Sequence, residues 1–166
     1  MKQASTPVSF TKTLGGIVKL FGLLFLFLPT TLSAGIIKIT GPCSVNPKFE
    51  SQLEFTSGNS LGFLTINILN NNDIPYLGID KGIHSIYNTP TGLEALEVID
   101  DRRMRSYGWC YEVDGEQPLV MPHEFEMKSN HKEVHWFFAY SSYDSGEWLD
   151  YCVPAHLLKP KFLCEN

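Results

Sequence analysis

Hydrophobic and polar residues alternate most regularly in the second half of the chain. Residues 132–140, KEVHWFFAY, put Val134, Trp136, Phe138 and Tyr140 on one face of a predicted strand. Residues 107–113, YGWCYEV, do the same with Trp109, Tyr111 and Val113, and Asp114-Gly115 follows as a tight-turn signal. Cys110 falls on the opposite face, where a half-buried strand normally shows polar groups to water. Upstream, GIIKIT (35–40) and FESQLEF (49–55) are strand candidates. FLTINIL (63–69) alternates through Leu64, Ile66 and Ile68 and predicts a further strand, which NNND ends. YLGIDKGIHSIY (76–87) is apolar-alternating but interrupted by glycine, and predicts an irregular strand. TPTGLEALEVIDDRRMR (89–105) predicts the single helix. Pro90 stands just before it, and Thr91 and Glu94 have capping-box spacing. Leu93, Leu96 and Ile99 would form its buried stripe, and Arg102, Arg103 and Arg105 would suit the negative end of its dipole. HEFEM (123–127) is a short strand candidate and KSNH a turn. Several strands with one helix to cover a sheet face make an α+β plan.

The N-terminal segment follows different rules. Residues 1–16 carry Lys2 and Lys12 and no acid; then comes IVKLFGLLFLFLP, an apolar run broken only by Lys19, and then TTLSAG. A basic region, a short apolar region and small residues are the plan of a secretory signal. The run from Phe21 to Leu28 falls well short of the roughly 20 residues that span a bilayer. The competing reading is a buried helix of the mature domain, but no amphipathic partner pattern accompanies it. Cleavage is expected after Ala34, with Ser33 and Gly35 as neighbouring alternatives.

Removal of residues 1–34 changes the charge. The full chain carries 13 basic and 18 acidic residues; losing three lysines and no acid leaves a net charge of about −8 on 132 residues. A chain this acidic repels nucleic acid and anionic membranes, and no basic cluster offsets it. The remaining length suffices for one domain with a core of its own. All four cysteines, Cys43, Cys110, Cys152 and Cys164, lie in this exported part, and an even count favours two disulfides. Three pairings are possible. Cys110–Cys152 with Cys43–Cys164 is preferred, because the second ties the ends of the mature chain together. The first would explain why Cys110 points outward: the C-terminal tail would cross the outer face near Phe137 and be bonded there.

The strand–helix order is of β-grasp type, and three stretches carry a resemblance. They are NTPTGLEALEVI at the expected helix opening, GWCYEVDGEQP on the aromatic strand, and KSNHKEVHWFFAY at the polar turn and following strand. From residue 62 to about 140 this order resembles the transcobalamin C-terminal-like domain family, a β-grasp fold of the soluble-ligand-binding sort. The resemblance implies a ligand, of corrinoid-like or carbohydrate character. Residues 35–61 and the tail from 141 have no counterpart in that pattern, and Cys110 is not part of the family motif. The expected organisation is therefore a signal peptide at 1–34, an N-terminal extension at 35–61, a β-grasp-like domain at 62–140 and a tail packed on it at 141–166.

His131 and His135 have H-x3-H spacing, but on a strand they stand about 13 Å apart, too far to share one ion. HEFEM lacks the second histidine of a metalloprotease motif. No metal and no cofactor are expected. No G-x-S-x-G elbow is present, paired cysteines leave no thiolate, and Ser141 and Ser142 have no assigned base. Acid pairs such as Glu124 and Glu126 read as solvated charges, so an enzyme is not expected. Eleven of the 45 residues from Tyr107 to Tyr151 are aromatic. Those not assigned inward, Phe137, Tyr143, Trp148 and Tyr151, together with His135, are the candidate binding residues. The expectation is a periplasmic or secreted, non-catalytic domain that binds a small molecule or glycan. The alternative is a protein–protein interaction module such as an effector, inhibitor or envelope accessory.

Overall fold

The computed structural model describes residues 33–55 and 58–164; residues 1–32 of the signal-like segment lie outside them. Among the described residues the fold is a mixed α+β arrangement: a curled sheet, one α-helix and two disulfides. The sheet strands are β1 (Ser33–Thr40), β2 (Phe49–Phe55), β5 (Leu96–Val98), β6 (Arg103–Val113), β7 (Glu133–Asp144), β8 (Glu147–Trp148) and β9 (Val153–Pro154). The helix α1 (Leu61–Asn71) and a separate hairpin, β3 (Tyr76–Ile79) with β4 (Gly82–Ile86), lie between β2 and β5 in the chain.

β7 is the central strand. β6 pairs antiparallel along it from Arg103↔Asp144 to Val113↔Val134. On its other edge, β1 runs parallel to the first half, with Ile37 opposite Val134 and Ile39 opposite Trp136. The second half of that edge takes β9 at Ala139 and Tyr140 and β8 at Tyr143 and Asp144. β2 and β5 form the outer strands of the order β2-β1-β7-β6-β5. Asp114 (φ 53°) and Gly115 (φ 82°) both adopt positive φ, as a primed hairpin turn requires, and Val113 and Glu116 exchange backbone hydrogen bonds across it. The Asp114 carboxylate accepts from the Lys132 and Glu133 amides at 2.8 Å and so fixes where β7 begins.

Alternation places Trp109, Tyr111, Val113, Val134, Trp136 and Phe138 on the inner face as expected, and Trp136 and Phe138 are each 1% exposed. Burial of one such ring contributes about 3 kcal/mol. Helix α1 and the β3–β4 hairpin cover the half of this face around Tyr111 and Trp136. The Trp136 indole donates to Thr65 Oγ1 at 3.0 Å, and Thr65 itself donates to the Leu61 carbonyl. The other half, around Tyr107 and Phe138, is covered by the tail through Ala155 and Leu163. Trp109 touches both clusters.

Four expectations are corrected. FLTINIL is helical: Leu61, Leu64, Thr65 and Leu69 are buried at helical spacing, and Ser60 caps the helix by accepting from the Phe63 amide. Residues 89–105 are not a helix. Gly92 (φ 59°) opens a four-residue 3-10 turn, and the chain then extends into β5. Asp100 accepts from the Arg102 and Arg103 amides and turns the chain straight into β6. Leu93 is 85% exposed and Ile99 39%, so the proposed stripe does not exist. HEFEM is a run of turns with a single bridge from Glu126 to Ser60. The tail extends the sheet along β7 instead of lying wholly across its outer face. Cys152 reaches over β7 to Cys110 on the outer side, and the chain then passes through β9 to the inner face, where Phe162 meets Tyr107 at 5.2 Å.

Candidate functional site

The seam between the two covers of the inner face holds a cavity of about 510 Å³. Its back wall is Trp109. β6 supplies this residue and aims it inward, and the indole Nε1 donates to Thr89 Oγ1 at 2.8 Å. Thr89 is held in turn by Ser85, whose hydroxyl donates to the Thr89 carbonyl at 2.7 Å. One side wall is the turn after β4, Tyr87 to Thr89. Tyr87 (φ 57°) and Asn88 (φ 59°) are consecutive non-glycine residues in the left-handed region, which for a bulky residue is an outlier. The Tyr87 amide donates to the Pro75 carbonyl at 2.8 Å, which fixes this conformation. Partial burial raises the Tyr87 phenol above its ordinary value.

The opposite wall is the loop joining β1 to β2, with Gly41, Pro42, Ser44, Asn46 and Pro47. The Cys43–Cys164 disulfide clamps this loop to the chain end, beside Leu163. The Lys48 amide closes the loop on the Ile39 carbonyl at 2.8 Å. The Lys48 ammonium stands 4.0 Å from the centre of the Tyr87 ring. The cavity is thus lined by aromatic and proline side chains together with the amides of Asn46 and Asn88 and the hydroxyls of Ser44 and Thr89.

The residues singled out from sequence lie elsewhere and do not converge. His135 is half-buried on the outer face, with Nδ1 2.8 Å from Glu112 and Nε2 2.8 Å from Thr40 Oγ1. Phe137 is 2% exposed and therefore cannot be a contact residue, which corrects that expectation. It lies opposite Cys110 in register, and the Cys110–Cys152 bridge has to cross β7 there because β6 and β9 flank β7 on opposite edges. Tyr143 and Trp148 pair edge-to-face at 5.4 Å on the β7–β8 hairpin. Tyr151 stands alone in solvent at 68% exposure. Lys48, Tyr87 and Thr89 were not anticipated. They lie in irregular segments, where no periodic pattern marks them.

A second, larger cavity of about 670 Å³ lies beside the Asp114–Gly115 turn and is lined by Asp114, Glu116, Glu124 and Glu126 with Lys128 and His131. Glu124 accepts from the Met121 amide, and His131 Nδ1 accepts from the Lys128 amide. Among the described residues no three of His, Cys, Asp and Glu are grouped to hold a metal ion, and no helix is long and apolar enough to cross a membrane.

No family model and no curated protein matches the chain. Among solved structures, a protein from Ruminococcus gnavus ATCC 29149 described as a "putative metal binding protein" is similar, at 14% identity and a TM-score of 0.34. The match covers 63% of this chain and 95% of that one. A likeness at that level carries no argument about what this chain does.

Proposed function

We propose that this chain is an exported, non-catalytic domain that binds a small amphipathic molecule in the cavity beside Trp109. The observation that carries the reading is the cavity itself: about 510 Å³, walled by Trp109 and Tyr87 and clamped by a disulfide. That size and mix of lining groups are typical of small-molecule sites. Two disulfides, and a basic-apolar-small N-terminal pattern ahead of them, support a periplasmic or secreted location. Among the described residues the cavity lining offers no Asp, Glu, His or free thiol to act as base or nucleophile, which supports binding without catalysis. The resemblance of residues 62–140 to the transcobalamin C-terminal-like domain supports a soluble ligand, and with it a β-grasp-like description of the sheet. The test is an NMR titration of the oxidised protein against planar aromatics and short sugars. Selective shifts of the Trp109 indole N–H are expected. A survey in which no compound moves that signal overturns the reading.

A protein partner is the second reading. It is favoured by the exposed apolar tail, where Trp148, Leu149 and Tyr151 are 40%, 59% and 68% exposed. A Trp148→Ala, Tyr151→Ala variant that loses its biological activity while keeping Trp109 titratable would favour it.

A further inference from the structure

We infer that the cavity beside Trp109 selects planar apolar molecules that carry an anionic group, with Lys48 as the group that recognises the charge. The inference rests on the binding reading above and names its ligand class. Charge distribution is the first support. The chain has 18 acidic residues, yet among the described residues none lines this cavity, and Lys48 is its single charged residue. The second cavity has the opposite lining, with Asp114, Glu116, Glu124 and Glu126. Acidic surroundings repel an anion, so a pocket for an anion in such a chain must exclude carboxylates locally.

The setting of Lys48 is the second support. Among the described residues no carboxylate lies within ion-pairing distance of it. Its ammonium is held over the Tyr87 ring, and of its three N–H donors those turned away from the ring face remain free for a ligand. A positioned ammonium with free donors at the mouth of an aromatic slot is a receptor for a carboxylate, sulfonate or phosphate oxygen. The backbone supplies the third support. Tyr87 and Asn88 hold the left-handed conformation at a cost of about 1 kcal/mol or more each. Such strain persists at ligand clamps, and here it orients the ring that carries Lys48. The aromatic lining of Trp109 and Tyr87 favours an apolar, planar body, and Lys48 selects the charged end.

The experiment uses two probes of one shape, 2-naphthoate and 2-naphthamide, titrated into the full oxidised protein and followed at the Trp109 indole N–H. Naphthoate is expected to bind about tenfold more tightly. Lys48→Met should bring the ratio of naphthoate to naphthamide affinity down to about one, and Lys48→Arg should keep the preference. Because Lys48 is exposed, neither variant threatens the fold. Equal binding of both probes, with Lys48→Met silent, overturns the anion inference and leaves the binding site standing. Preference for a neutral compound at Trp109 does the same. A Trp109 signal that no compound moves removes both.

Discussion

Trp109 and Thr89 are 20 residues apart in sequence, and the indole of one donates to the hydroxyl of the other at 2.8 Å. That bond joins the exit of the β3–β4 hairpin to the middle of β6. It fixes the back corner of the cavity, because both residues line it.

Thr89→Val keeps the shape of the side chain and removes the acceptor. The half-buried indole N–H then lacks its partner, and a loss of about 1–2 kcal/mol is expected. Urea unfolding checks the stability, and an upfield move of the Trp109 indole resonance checks that the loss is local.

The two disulfides close spans of 42 and 121 residues. In the chain-entropy description, Cys110→Ser with Cys152→Ser lowers stability by about 4 kcal/mol, and Cys43→Ser with Cys164→Ser by about 5 kcal/mol. The two double variants should differ in function. Loss of Cys43–Cys164 frees one wall of the cavity, whereas loss of Cys110–Cys152 acts on the outer face. Ligand titration of each under conditions where it remains folded, compared with thermal melts, separates stability from binding.

Gly62 sits in the first turn of α1 with its Cα against the turn between β3 and β4. A Cβ there would lie 2.0 Å from the Asp80 carbonyl oxygen. Gly62→Ala therefore requires the hairpin or the helix to shift, despite the better helix propensity of alanine, and costs about 3 kcal/mol. Thermal unfolding of the variant checks this; an unchanged midpoint would show that the hairpin does not pack there.

Glu97 on β5 accepts from Tyr107 at 2.7 Å and from Arg105 at 2.9 Å. Partial burial by itself would raise its carboxyl, but the hydrogen bonds from Tyr107 and Arg105 and the charge of Arg105 outweigh that and hold it below the usual range. The folded value is depressed, so the stabilisation is present above the unfolded carboxylate value and fades as pH falls below about 4. The pair is over a third exposed at Glu97, so the effect is modest. Glu97→Gln should lose stability at neutral pH and flatten the acid limb of the stability curve, measured by urea midpoints across pH.

The alternation of Trp109, Tyr111 and Val113, and of Val134, Trp136 and Phe138, determined two long strands, their inner faces and the turn at Asp114–Gly115. These are local properties: period-two burial and a residue pair that tolerates positive φ. Residues 63–69 read as a strand from the sequence because Leu64, Ile66 and Ile68 alternate on three positions, and β-branched residues favour that reading. Burial of Leu61, Thr65 and Leu69 against Trp136 decides for the helix, and that contact does not exist in the sequence. The stretch from 89 to 105 failed the other way. Good helix formers gave way to a strand because β6 offered an unpaired edge beside Glu97. The cavity was the least legible feature. Trp109 could be placed on the inner face from its spacing alone, but Lys48, Tyr87 and Leu163 meet it from three distant segments. A disulfide and two left-handed residues bring them there, and such long-range closure leaves no periodic signal along the chain.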